Sequence, residues 1–165
     1  MKQGKRHDSL IPLSREHHYG LMVSLRIHRG LEQHEEDADW LSQRASKAIR
    51  FFDSDLKSHF KTEEEIVFPA MSSIDEAKPV VEELIREHRE LKRLVHDLGQ
   101  ARERQLAPLL REFADLLEAH IRKEERVLFP IYEQKLSVEI AEQVGAEVLR
   151  AEGPALRPKQ PELLE

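Results

Sequence analysis

An eleven-residue pattern occurs twice in this chain, and it leaves few folds open. His59-Phe60-Lys61-Thr62-Glu63-Glu64-Glu65-Ile66-Val67-Phe68-Pro69 returns 61 positions later as His120-Ile121-Arg122-Lys123-Glu124-Glu125-Arg126-Val127-Leu128-Phe129-Pro130. Each copy extends a stripe whose members recur in steps of three and four. Leu41, Ala45, Ile49, Phe52 and Leu56 lead to His59, and Leu110, Phe113 and Leu117 lead to His120. That period is helical, and no segment alternates with the period of two of a half-buried strand. Two residues four apart on a helix point the same way, about 40° apart and ~6 Å along the axis. Each stripe therefore turns an imidazole and a carboxylate towards the core, where an unpartnered carboxylate costs several kcal/mol.

A second echo, Arg15-Glu16-His17 against Arg86-Glu87-His88, lies upstream of each copy. The chain thus reads as two helical hairpins, each with a His on its first helix and a His-x-x-x-Glu pair on its second. Sparse Gly and Pro punctuate helices of about 13–30, 38–70, 76–98 and 106–132, with Ser14 as a cap and Gly30 as a stop for the first. A shorter helix spans 137–150. The expected fold is all-α: an up-down four-helix bundle of two repeated hairpins with a short extra C-terminal helix. The domain is expected over residues 10–152, with residues 1–9 and 153–165 as flexible tails.

Cysteine is absent, so any metal must be held by nitrogen and oxygen. Facing helices bring His59, Glu63, His120 and Glu124 around one point, and His88, on the stripe of Val81, Leu84, Leu91 and Val95, adds a third imidazole. The first helix leaves two candidates. The Arg-Glu-His echo favours His17. The apolar pattern favours His18, because offsets of three and seven give Leu21 and Leu25 from His18 but Gly20 and Ser24 from His17. A ligand must face the core, so His18 completes the expected set. Four imidazoles and two bridging carboxylates suit a pair of iron ions, with manganese or zinc accepting the same donors. Oxo, hydroxo, water or a small ligand would fill the remaining positions. Glu64, Glu65 and Glu125 read as solvated, with Glu125 as the fallback carboxylate; His28 and His96 read as locally hydrogen-bonded.

Charged residues make up 35% of the chain and the net charge is −6, a poor balance for gripping a phosphate backbone. No apolar run approaches the ~18 residues of a membrane span. Met1 to Asp8 lacks the apolar stretch of a signal peptide, so a cytoplasmic address is expected.

With its motifs in this order, the chain resembles the hemerythrin-like family, the HHE cation-binding domains, over residues 10–132. The carriers are Arg15-Glu16-His17-His18, His59-x-x-x-Glu63 with Phe68-Pro69, Arg86-Glu87-His88, and His120-x-x-x-Glu124 with Phe129-Pro130. The resemblance implies a bundle around a non-haem di-iron centre that handles O2, NO, peroxide or iron. The oxygen carriers of that family have His-x-x-x-His on the third helix, where this chain has Lys92. They also have an Asp five residues after the fourth-helix His, where this chain has Glu125. The resemblance therefore implies a four-His, two-Glu variant that senses or reacts rather than stores O2. An enzyme acting on peroxide or O2 and a metal-free interaction bundle are the alternatives. The stripe of Val138, Ala141, Val144 and Val148 is expected either to cover the bundle or to form a homodimer contact.

Overall fold

The computed structural model describes residues 5–153 and 161–163. Five helices carry the fold among them, and no strand is present. Helix α1 is Ile11–His34. Helix α2 runs over 38–70, α3 is Lys78–Gln100, α4 runs over 103–135 and α5 is Val138–Glu152. Single turns of 3-10 helix flank them at Asp8–Leu10 and Pro161–Leu163. Asp37 caps α2 by accepting from the Trp40 N–H, and Ser137 caps α5 by accepting from the Ile140 N–H. Short connections make sequence neighbours antiparallel. Helix α4 packs on α1, α2 and α3.

Two expectations at the first helix change. Ser14 lies inside α1, which begins at Ile11 with Pro12 in its first turn and has no side-chain cap. Gly30 does not end the helix. A Cβ there would lie 1.9 Å from the Trp40 ring, so glycine is needed for the indole to lie against α1.

Helices α2 and α4 are not uniformly α-helical. Each contains a π-helical turn immediately before its Phe-Pro pair, Glu63–Val67 in α2 and Glu124–Leu128 in α4. The Phe68 N–H reaches back five residues to the Glu63 carbonyl, and the Phe129 N–H does the same to Glu124. A proline ring clashes with the carbonyl four residues before it in an α-helix, and the wider turn relieves that clash without ending the helix. Each π turn begins at the glutamate of the repeat. A third, Phe52–Leu56, lies earlier in α2 and has no proline.

The core is split in two. One apolar cluster, which includes Ile27, Leu94, Phe113 and Leu117, lies to one side. The other, which includes Leu13, Val67, Leu84, Phe129 and Tyr132, lies to the other side. Between them in the sequence of every long helix stand the buried polar residues His17, His59, Glu63, His88, His120 and Glu124. The bundle therefore carries a polar layer between two dry ones.

Parts of the expected tails make contacts with the bundle. Arg6 pairs with Glu125 and Glu133, the His7 N–H donates to Glu133, and the Ser9 hydroxyl lies 2.9 Å from the Tyr132 hydroxyl. Leu163 is buried in the first apolar cluster. Residues 1–4, 154–160 and 164–165 of the expected tails lie outside the described residues. Ala141, Val144 and Val148 of α5 are buried against the bundle, so that stripe covers the chain's own core. No helix among the described residues is long and apolar enough to cross a membrane.

Candidate metal centre

Four imidazoles converge through Nε2 on two carboxylates. His59 Nε2 is 3.0 Å and His88 Nε2 3.2 Å from Glu63. His17 Nε2 is 2.9 Å and His120 Nε2 3.5 Å from Glu124, and His17 also lies 3.5 Å from Glu63. All six residues are at most 4% exposed. Their donor atoms form two overlapping groups, His17, His59, Glu63 and Glu124 in one and Glu63, His88, His120 and Glu124 in the other. Within each group the atoms lie within 4.8 Å of one another. The two glutamates belong to both groups, so each carboxylate serves both.

Five of the six expected positions meet in this layer. The sixth is corrected: the first-helix histidine in the cluster is His17, and His18 is exposed. The inward residues of α1 are Leu13, His17, Gly20, Val23, Ser24, Ile27 and Leu31. Gly20 faces inward because α4 approaches closely there: a Cβ would come 2.6 Å from Ile121 Cδ1. Leu25, which argued for His18, is 46% exposed. Scoring by apolarity failed where close packing selects small residues. A visible signal pointed the right way, since positions 13, 17, 20, 24, 27 and 31 step by four and three like the stripe on α2.

The opposite edge of every ring is also held. Nδ1 of His17 is 2.7 Å from Glu125, that of His59 2.8 Å from Glu16, that of His88 2.7 Å from Glu64, and that of His120 2.9 Å from Glu87. A carboxylate there accepts the Nδ1–H, which fixes the tautomer and leaves the Nε2 lone pair aimed at the centre. The four contacts form a closed ring around the bundle. Glu16 of α1 holds His59 of α2, Glu64 of α2 holds His88 of α3, Glu87 of α3 holds His120 of α4, and Glu125 of α4 holds His17 of α1. Each helix thus carries, next in sequence to an inward residue of the cluster, the carboxylate that orients the next helix's ring. That is the physical content of the Glu-His and Glu-Glu pairs in the repeat. The expectation that Glu64 and Glu125 are merely solvated is corrected on this ground, and Glu16 and Glu87 join the site as residues the sequence reading missed.

Electrostatics follow from this packing. Burial lowers the His17 pKa, but Glu124, Glu125 and Glu63 outweigh it and hold the ring well above its ordinary value. Burial likewise opposes protonation of His59, yet Glu63 and Glu16 push it up to about 10. Burial raises the Glu63 pKa, but the imidazoles of His59, His17 and His88 pull it well below the carboxylate range. Burial raises Glu125 as well, and His17, Ser14 and Arg6 bring it down to about 2. The Nε2–carboxylate approaches at the centre are close but poorly directed, so that Nε2 of His17, His88 and His120 and both oxygens of Glu63 and Glu124 are buried without a partner in hydrogen-bond geometry. Buried polar atoms seldom stay unsatisfied, and here they all face one place. Cations bound between them would satisfy the whole set, so the donor set fits a pair of metal ions.

The model of the family described as the Hemerythrin HHE cation binding domain matches residues 11–133. No curated protein and no solved structure matches the chain.

Proposed function

Because the chain belongs to the hemerythrin HHE cation-binding family, we propose that it holds two iron ions and uses them to bind or sense O2, NO or peroxide. The observation that carries this reading is the convergence of buried, unsatisfied nitrogen and carboxylate oxygen atoms into two groups that share Glu63 and Glu124. His17 and His59 would serve one ion, His88 and His120 the other. A buried cluster of four carboxylate-bound imidazoles would be a costly way to fill a core that elsewhere is apolar.

The chain's own residues limit what could reach the ions. A cavity of about 10 Å³, lined by His17, His59 and His120 together with Tyr19, Leu117 and Ile121, lies beside the centre. It admits one molecule of about the size of water. That size suits a diatomic gas and excludes a bulky substrate at this position. Two imidazoles and two shared carboxylates would hold each ion and would leave room for a small ligand. Lys92, one turn after His88, is exposed and supplies no further imidazole. Iron when bound would supply the redox chemistry and the open positions. The protein would hold the rings, exclude bulk water and keep the carboxylates ionised.

Metal analysis together with an optical spectrum tests the proposal. The protein reconstituted with ferrous iron without air should gain an iron-dependent near-ultraviolet absorption once air is admitted, and it should not return to the reduced spectrum when air is removed. A well-folded protein that takes up no metal would overturn the proposal and favour an ion-paired helical bundle. Firm binding of zinc or manganese with no uptake of iron would change the assigned chemistry.

A further inference from the structure

A groove of about 490 Å³ opens to solvent between α2 and α3, next to the centre. Its volume is that of a small-molecule site. The floor is apolar: Phe52, Phe60 and Val95 are all buried. Phe60 is also the ring that stacks on His88, with centroids 3.8 Å apart and planes 15° apart. Around this floor stand Lys57 and Lys61 on α2 and Arg89 and Lys92 on α3. Among the described residues none of these four cations has an ion-pair partner within 4.0 Å. Cations on other faces do have partners: Arg93 pairs with Glu90, Arg122 with Glu118, and Lys123 with Glu83.

Three carboxylates also line the groove. They are Asp53, Glu64 and Glu65, with Glu64 engaged by His88 Nδ1, so the four cations outnumber the carboxylates by one. In a chain of net charge −6 this is a local reversal of sign over an apolar floor. A complementary molecule has a flat apolar body and a negative charge. We propose that the groove binds a small organic anion of the aromatic carboxylate class, its ring against Phe60 and its charge among Lys57, Lys61, Arg89 and Lys92. Glu64 faces the groove and orients His88, so an occupant borders the centre without entering the small cavity on its other side.

Titration calorimetry with 2-naphthoate and its neutral counterpart 2-naphthalenemethanol tests this on the protein as purified. The naphthoate should bind at least about tenfold more tightly than the alcohol, and salt should weaken only the naphthoate. The double variant Lys61→Gln/Lys92→Gln should lose about tenfold or more in naphthoate affinity, while Lys135→Gln, outside the groove, should bind as the parent does. Both exchanged lysines are exposed, and circular dichroism checks that helix content is kept. Equal binding of the two compounds, binding of neither, or parent-like affinity in the double variant would overturn the proposal. The comparison of the two compounds needs no variant. The groove is built from side chains alone, so its failure and the failure of the iron reading are separate outcomes.

Discussion

The two hairpins supply the two halves of the centre from nearly the same sequence, yet the halves are finished differently. In the first copy of the repeat the residue after the histidine is Phe60, which lies face to face with His88 and edge-on to His120. In the second it is Ile121, which packs against Gly20. Glu125 is only 25% exposed and is held by Arg6 and Ser14, whereas its counterpart Glu64 is 41% exposed and holds His88 without a second charged partner among the described residues. Glu87 is neutralised by Lys123, but the position matching Lys123 in the first copy is Thr62, which bonds to Glu152 of α5. The inward residues of the cluster match between the halves, His59 and Glu63 in one and His120 and Glu124 in the other, as a pair of like sites would require. Their orienting carboxylates differ because one is half-buried beside Arg6 and Ser14 and another borders an open groove.

The two halves depend most on the carboxylates they share. Glu63→Ala or Glu124→Ala removes a carboxylate common to both groups, so either change should cost both ions, whereas His59→Ala should cost mainly one. Metal content per chain distinguishes these outcomes, and retention of one ion in Glu63→Ala would show that the halves are independent.

Metal removal should have the next largest effect, and it has a definite pH sign. Without metal, His59 titrates near 10 instead of its ordinary 6.5. The stability from its protonation is fully present below about 6.5 and is lost as pH rises towards about 10. Metal needs the neutral ring, so the loaded form gains from the same rise in pH. Melting curves with and without chelator should therefore diverge between pH 6.5 and 10; a constant gap would contradict the assignment.

The orienting carboxylates should matter unequally. Glu125→Gln and Arg6→Ala disturb the buried arm on His17, and the loss of metal affinity should approach the ~10–100-fold typical of such partners. Glu64→Gln, on the more exposed arm, should cost less. Competition with a chelator of known affinity measures both, and an equal loss would remove the distinction drawn here. The smallest effect belongs to His18→Ala, which should leave metal content unchanged, because the side chain is exposed.

The order of helices, the hairpin repeat and five of the six converging residues are legible in the sequence because each rests on helical periodicity alone. His17 is obscured because Gly20 faces inward where α4 approaches closely and Ser24 is a buried polar residue, neither of which hydropathy registers. The ring of orienting glutamates was hidden for a related reason. Glu16, Glu64, Glu87 and Glu125 sit beside the inward stripe, where a charged residue ordinarily meets water, and only the position of the neighbouring helix reveals the ring each one holds. The π turns were hidden too, since Phe68-Pro69 and Phe129-Pro130 mark a proline inside a helix without stating how the backbone accommodates it.

On the proposed reading the polar layer is a site for two ions, one served by the histidines of each hairpin. Counting bound iron per chain after anaerobic reconstitution with ferrous iron and removal of excess tests it most directly. The parent protein and His18→Ala should hold two ions, and His17→Ala about one. No bound metal in the parent, or a His17→Ala variant that still holds two, would contradict it.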